Sequence, residues 1–372
     1  MNKYYPEIKK NFGFGCMRLP LIGDEVNYEE MNKMVDAFLE SGFNYFDTAH
    51  GYLNGKSELA LKKCLTSRYP REAYILTNKL SAFHFNTQEE IRPLFESLLD
   101  ACGVTYFDFY LMHAQNSALF EKYKACKAYE TAFELKEEGK IKHVGISFHD
   151  TADVLDQILT EYPQLEVVQI QLNYVDFEDP KVQSRKCLEV CRKHGKPAII
   201  MEPVKGGSLV NLPEDAQKVF DALEGGSNAS YAVRFAASQE GVMMVLSGMG
   251  SMEMMTDNVS YMKDFVPLNE AEYQAIDKVI EVFKSIEVIP CTACKYCTEV
   301  CPQGVKIPDI FDVYNDYKKY NNESSAFVYN NFVCGKGGKA SECVKCGACE
   351  AACPQKLPIR DLLDEVVEKF EK

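Results

Sequence analysis

Eight cysteines occur in two runs that share one spacing, C-x2-C-x2-C-x3-C-P. The first run is followed by Pro302 and comprises Cys291, Cys294, Cys297 and Cys301. The second run is followed by Pro354 and comprises Cys343, Cys346, Cys349 and Cys353. This spacing is typical of thiolates that bind a cubane [4Fe–4S] cluster. The sequence therefore predicts two such clusters and the transfer of single electrons.

The fourth cysteine of each run is expected to serve the other cluster. Three cysteines spaced by three residues can surround one face of a cluster, and in proteins with two clusters the fourth ligates the second one. The predicted ligand sets are Cys291, Cys294, Cys297 and Cys353 for one cluster, and Cys343, Cys346, Cys349 and Cys301 for the other. Zinc usually takes widely separated C-x2-C pairs, and disulfides need an oxidising compartment, so both are disfavoured.

A second group of polar residues lies where apolar runs end. Asp47, Lys79 and His113 each end such a run, and Tyr52 follows Asp47 by five residues. Lys79 would favour the ionised form of the Tyr52 phenol and so lower its pKa, and Asp47 would pair with Lys79. Tyr52 could then protonate a carbonyl oxygen, oriented by His113, while a hydride reaches the carbon.

Short apolar runs alternate with amphipathic helical patterns, such as Tyr28–Ser41 and Lys122–Glu138, over the first 265 residues. The predicted strands are Phe12–Met17, Phe43–Asp47, Ala73–Lys79, Phe107–His113, Ile141–Ser147, Glu166–Gln171, Pro197–Glu202 and Val242–Ser247. Such alternation implies parallel strands, and eight units fit a (β/α)8 TIM barrel. An open doubly wound sheet is disfavoured because no strand is followed by G-x-G-x-x-G.

The cysteine-rich part is predicted to be a separate, mainly α-helical domain. Each cysteine run precedes an amphipathic helix, Asp309–Tyr320 or Ile359–Phe370, and the two runs are separated by 41 residues, from Pro302 to Glu342. Phe327–Lys339 contains three glycines and is predicted to be a loop. The expected division is residues 1–285 for the barrel and 286–372 for the cluster domain.

The bulk composition limits the partners. The formal net charge of −14 argues against nucleic acid as a partner. No apolar stretch reaches the ~18 residues that a membrane span needs, and the N-terminal residues show no export signal. A cysteine-rich chain of this kind is expected in the reducing cytoplasm.

The barrel segment resembles the aldo-keto reductases. The motif DTAHGYLNGKSE contains Asp47 and Tyr52, and the later matching stretches are HVGISFH, VVQIQLNY, MEPVKGGSL and VLSGMGSMEMMTDNV. The resemblance covers about residues 10–265 and implies that Asp47, Tyr52, Lys79 and His113 form the catalytic tetrad. With residues 286–372, the chain is similar to ferredoxin-fused aldo-keto reductases of anaerobic prokaryotes.

The resemblance also implies a nicotinamide nucleotide, NAD(P)H. Its implied contacts are Ser147 and Gln169 at the carboxamide, Met201 in place of a stacking aromatic ring, Lys205, Gly206 and Gly207 near the diphosphate, and Ser247, Gly248 and Asn258 near the adenosine. Gly248 and Met254 stand where NADPH-specific members carry Lys and Arg. A 2′-phosphate would lack charge-assisted partners there, so no NADPH preference is predicted, and NADH or FMN remains open.

The sequence as a whole predicts an iron–sulfur oxidoreductase that reduces a carbonyl group of a small-molecule substrate and exchanges electrons through its clusters. A nicotinamide transfers two electrons at once and each cluster one, so a flavin could couple them. The alternatives are an FMN-containing reductase with ferredoxin-type electron input and an electron-transfer adaptor with an inactive barrel. A ferredoxin or another redox protein is the expected protein partner. His50, His84 and His149 either line the substrate pocket or lie in solvated loops.

Overall fold

A computed structural model describes residues 3–223, 225–322 and 324–372 of the chain. These residues divide into two compact units, one within Met1–Lys205 and Gly225–Tyr273 and the other within Gly206–Glu224 and Gln274–Lys372. The second unit thus includes residues 206–223 and 274–285, which the sequence analysis placed in the barrel domain. None of the described helices combines the length and apolar character that crossing a bilayer requires.

Eight parallel strands of the first unit close into a barrel, and a short antiparallel hairpin follows the first of them. The strands in chain order are β1 (Phe12–Gly15), β2 (Leu21–Ile22), β3 (Glu25–Val26), β4 (Tyr45–Asp47), β5 (Ile75–Leu80), β6 (Phe107–Gln115), β7 (Ile141–Phe148), β8 (Val167–Gln171), β9 (Ala198–Met201) and β10 (Val242–Ser247). The order around the barrel is β1-β10-β9-β8-β7-β6-β5-β4, and β2 pairs with β3 in the hairpin. The predicted TIM barrel is therefore confirmed.

Helices alternate with these strands and continue through the second unit. The α-helices of the described residues are α1 (Tyr28–Glu40), α2 (Lys56–Leu61), α3 (Ile91–Cys102), α4 (Ser117–Ala125), α5 (Ala128–Glu137), α6 (Ala152–Glu161), α7 (Ser184–Lys193), α8 (Glu214–Asp221), α9 (Asn228–Ala237), α10 (Met252–Met262), α11 (Glu270–Ser285), α12 (Tyr296–Glu299), α13 (Ile307–Tyr320), α14 (Ser324–Val328), α15 (Ala348–Ala352) and α16 (Ile359–Phe370). The predicted single helix Lys122–Glu138 is wrong, because Lys127 adopts a left-handed conformation (φ 49°) and separates α4 from α5.

Side chains from alternate strand positions fill the barrel interior. Tyr45, Phe109, Leu111 and Leu246 belong to this buried cluster. Gly145 in β7 leaves room for them, because a Cβ at this position would lie 2.5 Å from the Val167 Cγ2 and 2.9 Å from the Leu111 Cδ2. The interior is thus a packed core, and the polar strand ends above it must form the site.

The second unit contains the two cysteine runs as related halves. Positive φ angles recur at equivalent positions in the two halves: Ala293 and Lys345, Lys295 and Gly347, and Gly304 and Lys356. These left-handed residues curl the chain between the cysteines. The helices α13 and α16 follow the two runs and pack through an apolar core that includes Ile307, Phe311, Ile359 and Leu363.

The predicted loop Phe327–Lys339 is only partly correct. Its first residues are helical, in the end of α14 and in a π-helical turn over Tyr329–Val333. The ring of Tyr329 packs against that of Phe370 with centroids 5.3 Å apart, and this burial favours regular structure. The later part, with Gly337 and Gly338 at positive φ, is a loop as expected.

Candidate active site and cluster cavities

The ends of neighbouring barrel strands bring the four predicted catalytic residues together. Asp47 ends β4, Lys79 lies near the end of β5, and His113 lies near the end of β6. Tyr52 begins a short 3-10 turn, Tyr52–Gly55, in the loop after β4. These are the positions at which TIM barrels carry their catalytic groups.

The ammonium group of Lys79 joins three of these elements. Its Nζ donates hydrogen bonds to Asp47 Oδ1 (2.5 Å), to the Thr48 carbonyl oxygen (2.9 Å) and to the Tyr52 hydroxyl oxygen (3.2 Å). Lys79 is fully buried. A buried ammonium group requires this degree of pairing, so Lys79 fixes the Tyr52 hydroxyl relative to the strand ends.

Asp47 has a second partner that the sequence analysis assigned differently. Gln169 Nε2 donates to Asp47 Oδ2 at 3.0 Å, and both side chains are buried. Burial raises the pKa of Asp47, and the charge of Lys79 opposes that rise. The pKa of Lys79 is raised by the carboxylate of Asp47 despite burial. Gln169 therefore orients the carboxylate that holds Lys79.

The phenol of Tyr52 differs from expectation. Burial raises its pKa above the usual value, and Lys79 offsets the rise only in part. The lowered pKa expected from the sequence is thus wrong, because desolvation of the phenolate outweighs the attraction of the nearby cation. Tyr52 consequently carries its proton at neutral pH, which suits a proton donor.

The imidazole of His113 is uncharged in this environment. Burial, the positive charge of Lys79 and the neighbouring His149 and His84 lower its pKa to about 3. Its Nδ1 lies 2.6 Å from the hydroxyl oxygen of Ser81, and its ring centroid is 6.0 Å from that of Tyr52. Ser81 orients this ring, and nothing in the sequence pattern singled Ser81 out.

The turn that carries Tyr52 has an uncommon backbone. Leu53, Asn54 and Gly55 follow it with φ values of 51°, 54° and 84°. Left-handed conformations are unfavourable for a residue such as Leu, and three in succession tightly constrain the chain. Residues held in such conformations cluster at functional sites.

Three further histidines lie near the same strand ends. His50 Nδ1 is 2.8 Å from Oε2 of the buried Glu58, and Asn78 Nδ2 donates to the other oxygen of Glu58 at 2.7 Å. The rings of His50 and His84 contact each other with centroids 4.7 Å apart. His149 and His84 both contribute to the lowered pKa of His113, so they surround the tetrad rather than lying far from it.

Several of the residues predicted to contact a nucleotide form hydrogen bonds or ion pairs with other residues of the protein. Ser147 Oγ accepts a hydrogen bond from the backbone N–H of Ala114 (3.3 Å). Lys205 Nζ lies 2.8 Å and 3.0 Å from the carboxylate oxygens of Asp176. Ser247 Oγ donates to Asn258 Oδ1 at 2.7 Å. Met201 ends β9, and Gly206 and Gly207 belong to the second unit.

A cation that the sequence analysis missed lies beside Gly248. A Cβ at Gly248 would be 3.7 Å from the Cβ and 3.9 Å from the Cδ of Arg18. Among the described residues no carboxylate forms an ion pair with Arg18. Met254 in α10 is exposed. Gly248 and Met254 stand where NADPH-specific members carry Lys and Arg. Arg18, in the loop after β1, nevertheless places a cation close to Gly248 in space.

Two cavities of the second unit are lined by the eight cysteines in the predicted combinations. The first cavity is lined by Cys291, Cys294, Cys297 and Cys353. The second cavity is lined by Cys301, Cys343, Cys346 and Cys349. Ile307 lines both.

The donor atoms around these cavities fit a polynuclear cluster. Four cysteine thiols line each cavity, which is the donor set that a [4Fe–4S] cluster takes. The buried Thr298 hydroxyl lies beside the Cys297 thiol as a hydrogen-bond donor. Cys334 is buried and donates to the Gly338 carbonyl oxygen (3.6 Å), and it lines neither cavity.

Two protein-family sequence models match different parts of the chain. The sequence model of the aldo/keto reductase family matches residues 11–281. The model of the 4Fe–4S dicluster domain matches residues 290–357.

Curated relatives match the barrel part at low identity. An aldo-keto reductase of Gibberella moniliformis is 28% identical over 144 residues, 36% of this chain and 42% of that protein. An aldo-keto reductase of Mycolicibacterium smegmatis is 25% identical over 214 residues, 56% of this chain and 71% of that protein. The chain thus spans less than half the length of the first of these relatives.

Solved structures share the barrel. An aldo-keto reductase from Klebsiella pneumoniae in complex with NADPH superposes with a TM-score of 0.59 at 18% identity, over 73% of this chain and 95% of that one. The holo form of an aldo-keto reductase from Bacillus halodurans gives 0.58 at 23% identity, over 73% and 92%. At these identities the likeness shows the fold.

Proposed function

Because the chain belongs to the aldo/keto reductase family of oxidoreductases, we propose that it reduces the carbonyl group of a small-molecule substrate at the mouth of the barrel. The observation that carries the proposal is the position of Lys79, whose buried ammonium group links Asp47 to the Tyr52 hydroxyl.

Each of the four residues has a distinct task in this proposal. Tyr52 donates its proton to the substrate oxygen as negative charge develops there. Lys79 stabilises the phenolate that remains, and Asp47 keeps Lys79 charged and in place. His113 is neutral and held by Ser81, so its other nitrogen, Nε2, can donate a hydrogen bond to the same oxygen. None of the four forms a covalent bond to the substrate.

A nicotinamide nucleotide, when bound, supplies the hydride for this reaction. The proposed contacts are Ser147, Gln169 and Met201 at the nicotinamide, Lys205, Gly206 and Gly207 near the diphosphate, and Ser247, Gly248 and Asn258 near the adenosine. One structural neighbour was solved with NADPH, and Arg18 beside Gly248 could bind a 2′-phosphate. We therefore propose that NADPH is used, although the sequence alone did not favour it.

The cluster domain, proposed to comprise residues 286–372, would exchange electrons with a redox partner such as a ferredoxin. When bound, each cluster accepts or releases one electron. The cysteines lining the first cavity would hold one cluster and those lining the second cavity would hold the other. We place the protein in the cytoplasm, where such thiolates are not oxidised to disulfides.

Replacement of Tyr52 tests the proposed reaction. Tyr52→Phe removes the proton donor but keeps the ring, so turnover of small aldehydes should fall by about 10²-fold or more. Turnover is measured with 4-nitrobenzaldehyde, methylglyoxal and glyceraldehyde, and nucleotide affinity by calorimetry on the full chain. Affinity and iron content should be retained. Tyr69→Phe, which removes a hydroxyl bonded to Asp36 on the barrel exterior, serves as the control.

Three results would contradict this proposal. Unchanged turnover in Tyr52→Phe would show that Tyr52 is not the proton donor. Binding of neither nucleotide, together with a yellow chromophore released by acid, would instead favour the FMN-containing reductase. An intact barrel with no turnover of any carbonyl compound would favour the electron-transfer adaptor.

A further inference from the structure

The two cluster cavities are built from repeated sequence, yet their linings differ in charge. Residues 52 positions apart are equivalent, as Cys291 is to Cys343. At one such pair of positions the first cavity is lined by Lys295 and the second by Gly347. Lys295 is the one ionisable residue besides cysteine among those lining the first cavity, and the second cavity has none.

Lys295 is exposed, and Glu299 follows it by one helical turn. In the part of the chain that the structure describes, no carboxylate forms an ion pair with Lys295. Two cations flank the second cavity: Lys345, which precedes Cys346 and is paired with Asp364, and Arg360, whose Cζ would lie 3.8 Å from a Cβ at Gly347. Arg360 is paired with Glu350 at 2.8 Å, so this half gains little net positive charge.

A hydroxyl group adds to the difference between the halves. Thr298 follows the cavity-lining Cys297, and its buried hydroxyl acts as a hydrogen-bond donor towards the Cys297 thiol. Its equivalent in the other half is Glu350, whose carboxylate accepts hydrogen bonds from the backbone N–H and the guanidinium group of Arg360. A buried hydroxyl normally has a partner, and the sulfur of Cys297 in the first cavity provides one.

One hydrogen bond would instead stabilise the reduced state of the cluster in the second cavity. The backbone N–H of Val305 donates to Cys301 Sγ at 3.4 Å, and Cys301 lines the second cavity. Hydrogen bonds to ligand sulfurs stabilise the reduced state of a cluster. This one is a single, long contact to a neutral donor, whereas Lys295 contributes a full charge, so the charge should decide the order.

We propose that Lys295 and Thr298 raise the reduction potential of the cluster in the first cavity above that of the cluster in the second. Reduction adds one negative charge to a cluster, and a nearby cation or O–H donor stabilises that charge. The cluster in the second cavity would then be oxidised by one electron as the cluster in the first is reduced by one, and no proton moves. The inference rests on the cluster assignment made under the proposed function.

The experiment is a redox titration of the full-length protein, reconstituted anaerobically and followed by electron paramagnetic resonance. Wild-type protein should show two separated midpoint potentials. Lys295→Gln should lower the higher midpoint potential and so narrow the difference between the two potentials. The expected change is about three- to tenfold in the equilibrium constant for electron transfer between the clusters, which corresponds to about 30 to 60 mV. Thr298→Val should narrow that gap as well. Lys295→Arg keeps the charge and should restore the gap.

A matched control removes the same charge at a distance. Lys319→Gln changes a lysine of α13 that is about 18 Å along the helix axis from Ile307, at about 1.5 Å per residue. Because charges are screened over about 8 Å at physiological ionic strength, neither potential should shift. Gly347→Lys introduces the charge into the second half, where it should raise the lower potential.

The possible results are distinguishable. A single midpoint potential in the wild type, or a gap that Lys295→Gln leaves unchanged or widens, would overturn the proposal while the cluster assignment stood. Iron and acid-labile sulfide are measured before the titration. Protein with far fewer than two clusters would refute the cluster assignment itself, and this inference would fall with it.

Discussion

Charge and burial of single residues decide the chemistry of the barrel mouth. Lys79 is buried, and its three hydrogen bonds end on Asp47, Thr48 and Tyr52. The same burial that keeps Tyr52 protonated keeps His113 neutral. The one ammonium group of Lys79 therefore positions several groups at once. The proposed carbonyl reduction depends on the neighbours of each residue as much as on the residue itself.

His113 makes the stability of the fold depend on pH. Its pKa falls from 6.5 to about 3 in the folded chain, so between these values the unfolded chain binds the additional proton. Stability due to this group is present above pH 6.5 and is lost as the pH falls towards 3. Urea unfolding from pH 7 to pH 4 should show a smaller loss for His113→Gln than for the wild type. Equal losses would mean that His113 titrates normally.

Arg18 should select between the two nucleotides. A charge-assisted hydrogen bond contributes about 1.5–3 kcal/mol, so Arg18→Ala should weaken NADPH binding by that amount and leave NADH binding nearly unchanged. Calorimetry with both nucleotides measures this. Arg92→Ala on α3, where the guanidinium is already held by Glu134 and Glu138, is the control. An equal loss for both nucleotides would place Arg18 elsewhere than at the 2′-phosphate.

Among the elements, the regular ones were predictable and the local interruptions were not. All eight barrel strands and the helix Ile359–Phe370 follow from periodicity. The break at Lys127 does not, because a left-handed lysine has no signature in composition. The helical start of the predicted loop Phe327–Lys339 depends on a distant ring, Phe370.

The same limit applies to the candidate site. The tetrad could be predicted because each member lies at or near a strand end, a position that the alternation of elements reveals. Three contacts of the site join residues that are far apart in sequence: Ser81 with His113, Gln169 with Asp47, and Arg18 with Gly248. Only the closed barrel brings them together, so a reading of one strand at a time missed them.

The packing of β7 gives a prediction about an element. Gly145→Ala would place a Cβ 2.5 Å from Val167, and such overpacking costs about 1–3 kcal/mol. Gly250→Ala is the matched control, since a Cβ there would meet nothing within 4 Å. Urea unfolding of both variants should show a loss for the first alone. A neutral Gly145→Ala would mean that β7 can shift outward at little cost.

At the scale of the whole molecule, two different kinds of chemistry share one acidic chain. The barrel unit carries groups suited to moving protons, and the second unit carries thiols suited to holding clusters. The net charge of −14 includes no contribution from clusters, which would make the second unit more negative still. A redox partner that approaches that unit would need to tolerate or match this charge.

Iron content tests the assignment of ligands in the intact protein. Anaerobically reconstituted wild type should contain about eight irons and eight sulfides per chain, as two [4Fe–4S] clusters require. Cys301→Ser should damage the cluster whose other ligands are Cys343, Cys346 and Cys349, and the content should fall towards half. Cys334→Ser, which alters a thiol lining neither cavity, should keep the full content. A full complement in Cys301→Ser, or stoichiometric zinc in the wild type, would contradict the assignment.

The exchange of the fourth cysteine between the two runs has a consequence for biosynthesis. The first cavity is lined by three thiols from residues 291–297 and one from Cys353. A growing chain that has passed only the first run cannot offer a complete set of four, however long translation pauses there. Cluster insertion is therefore expected to wait until the ribosome has passed Cys349 for the second cavity and Cys353 for the first, so that both halves mature almost together and a product that ends before the second run carries no finished cluster.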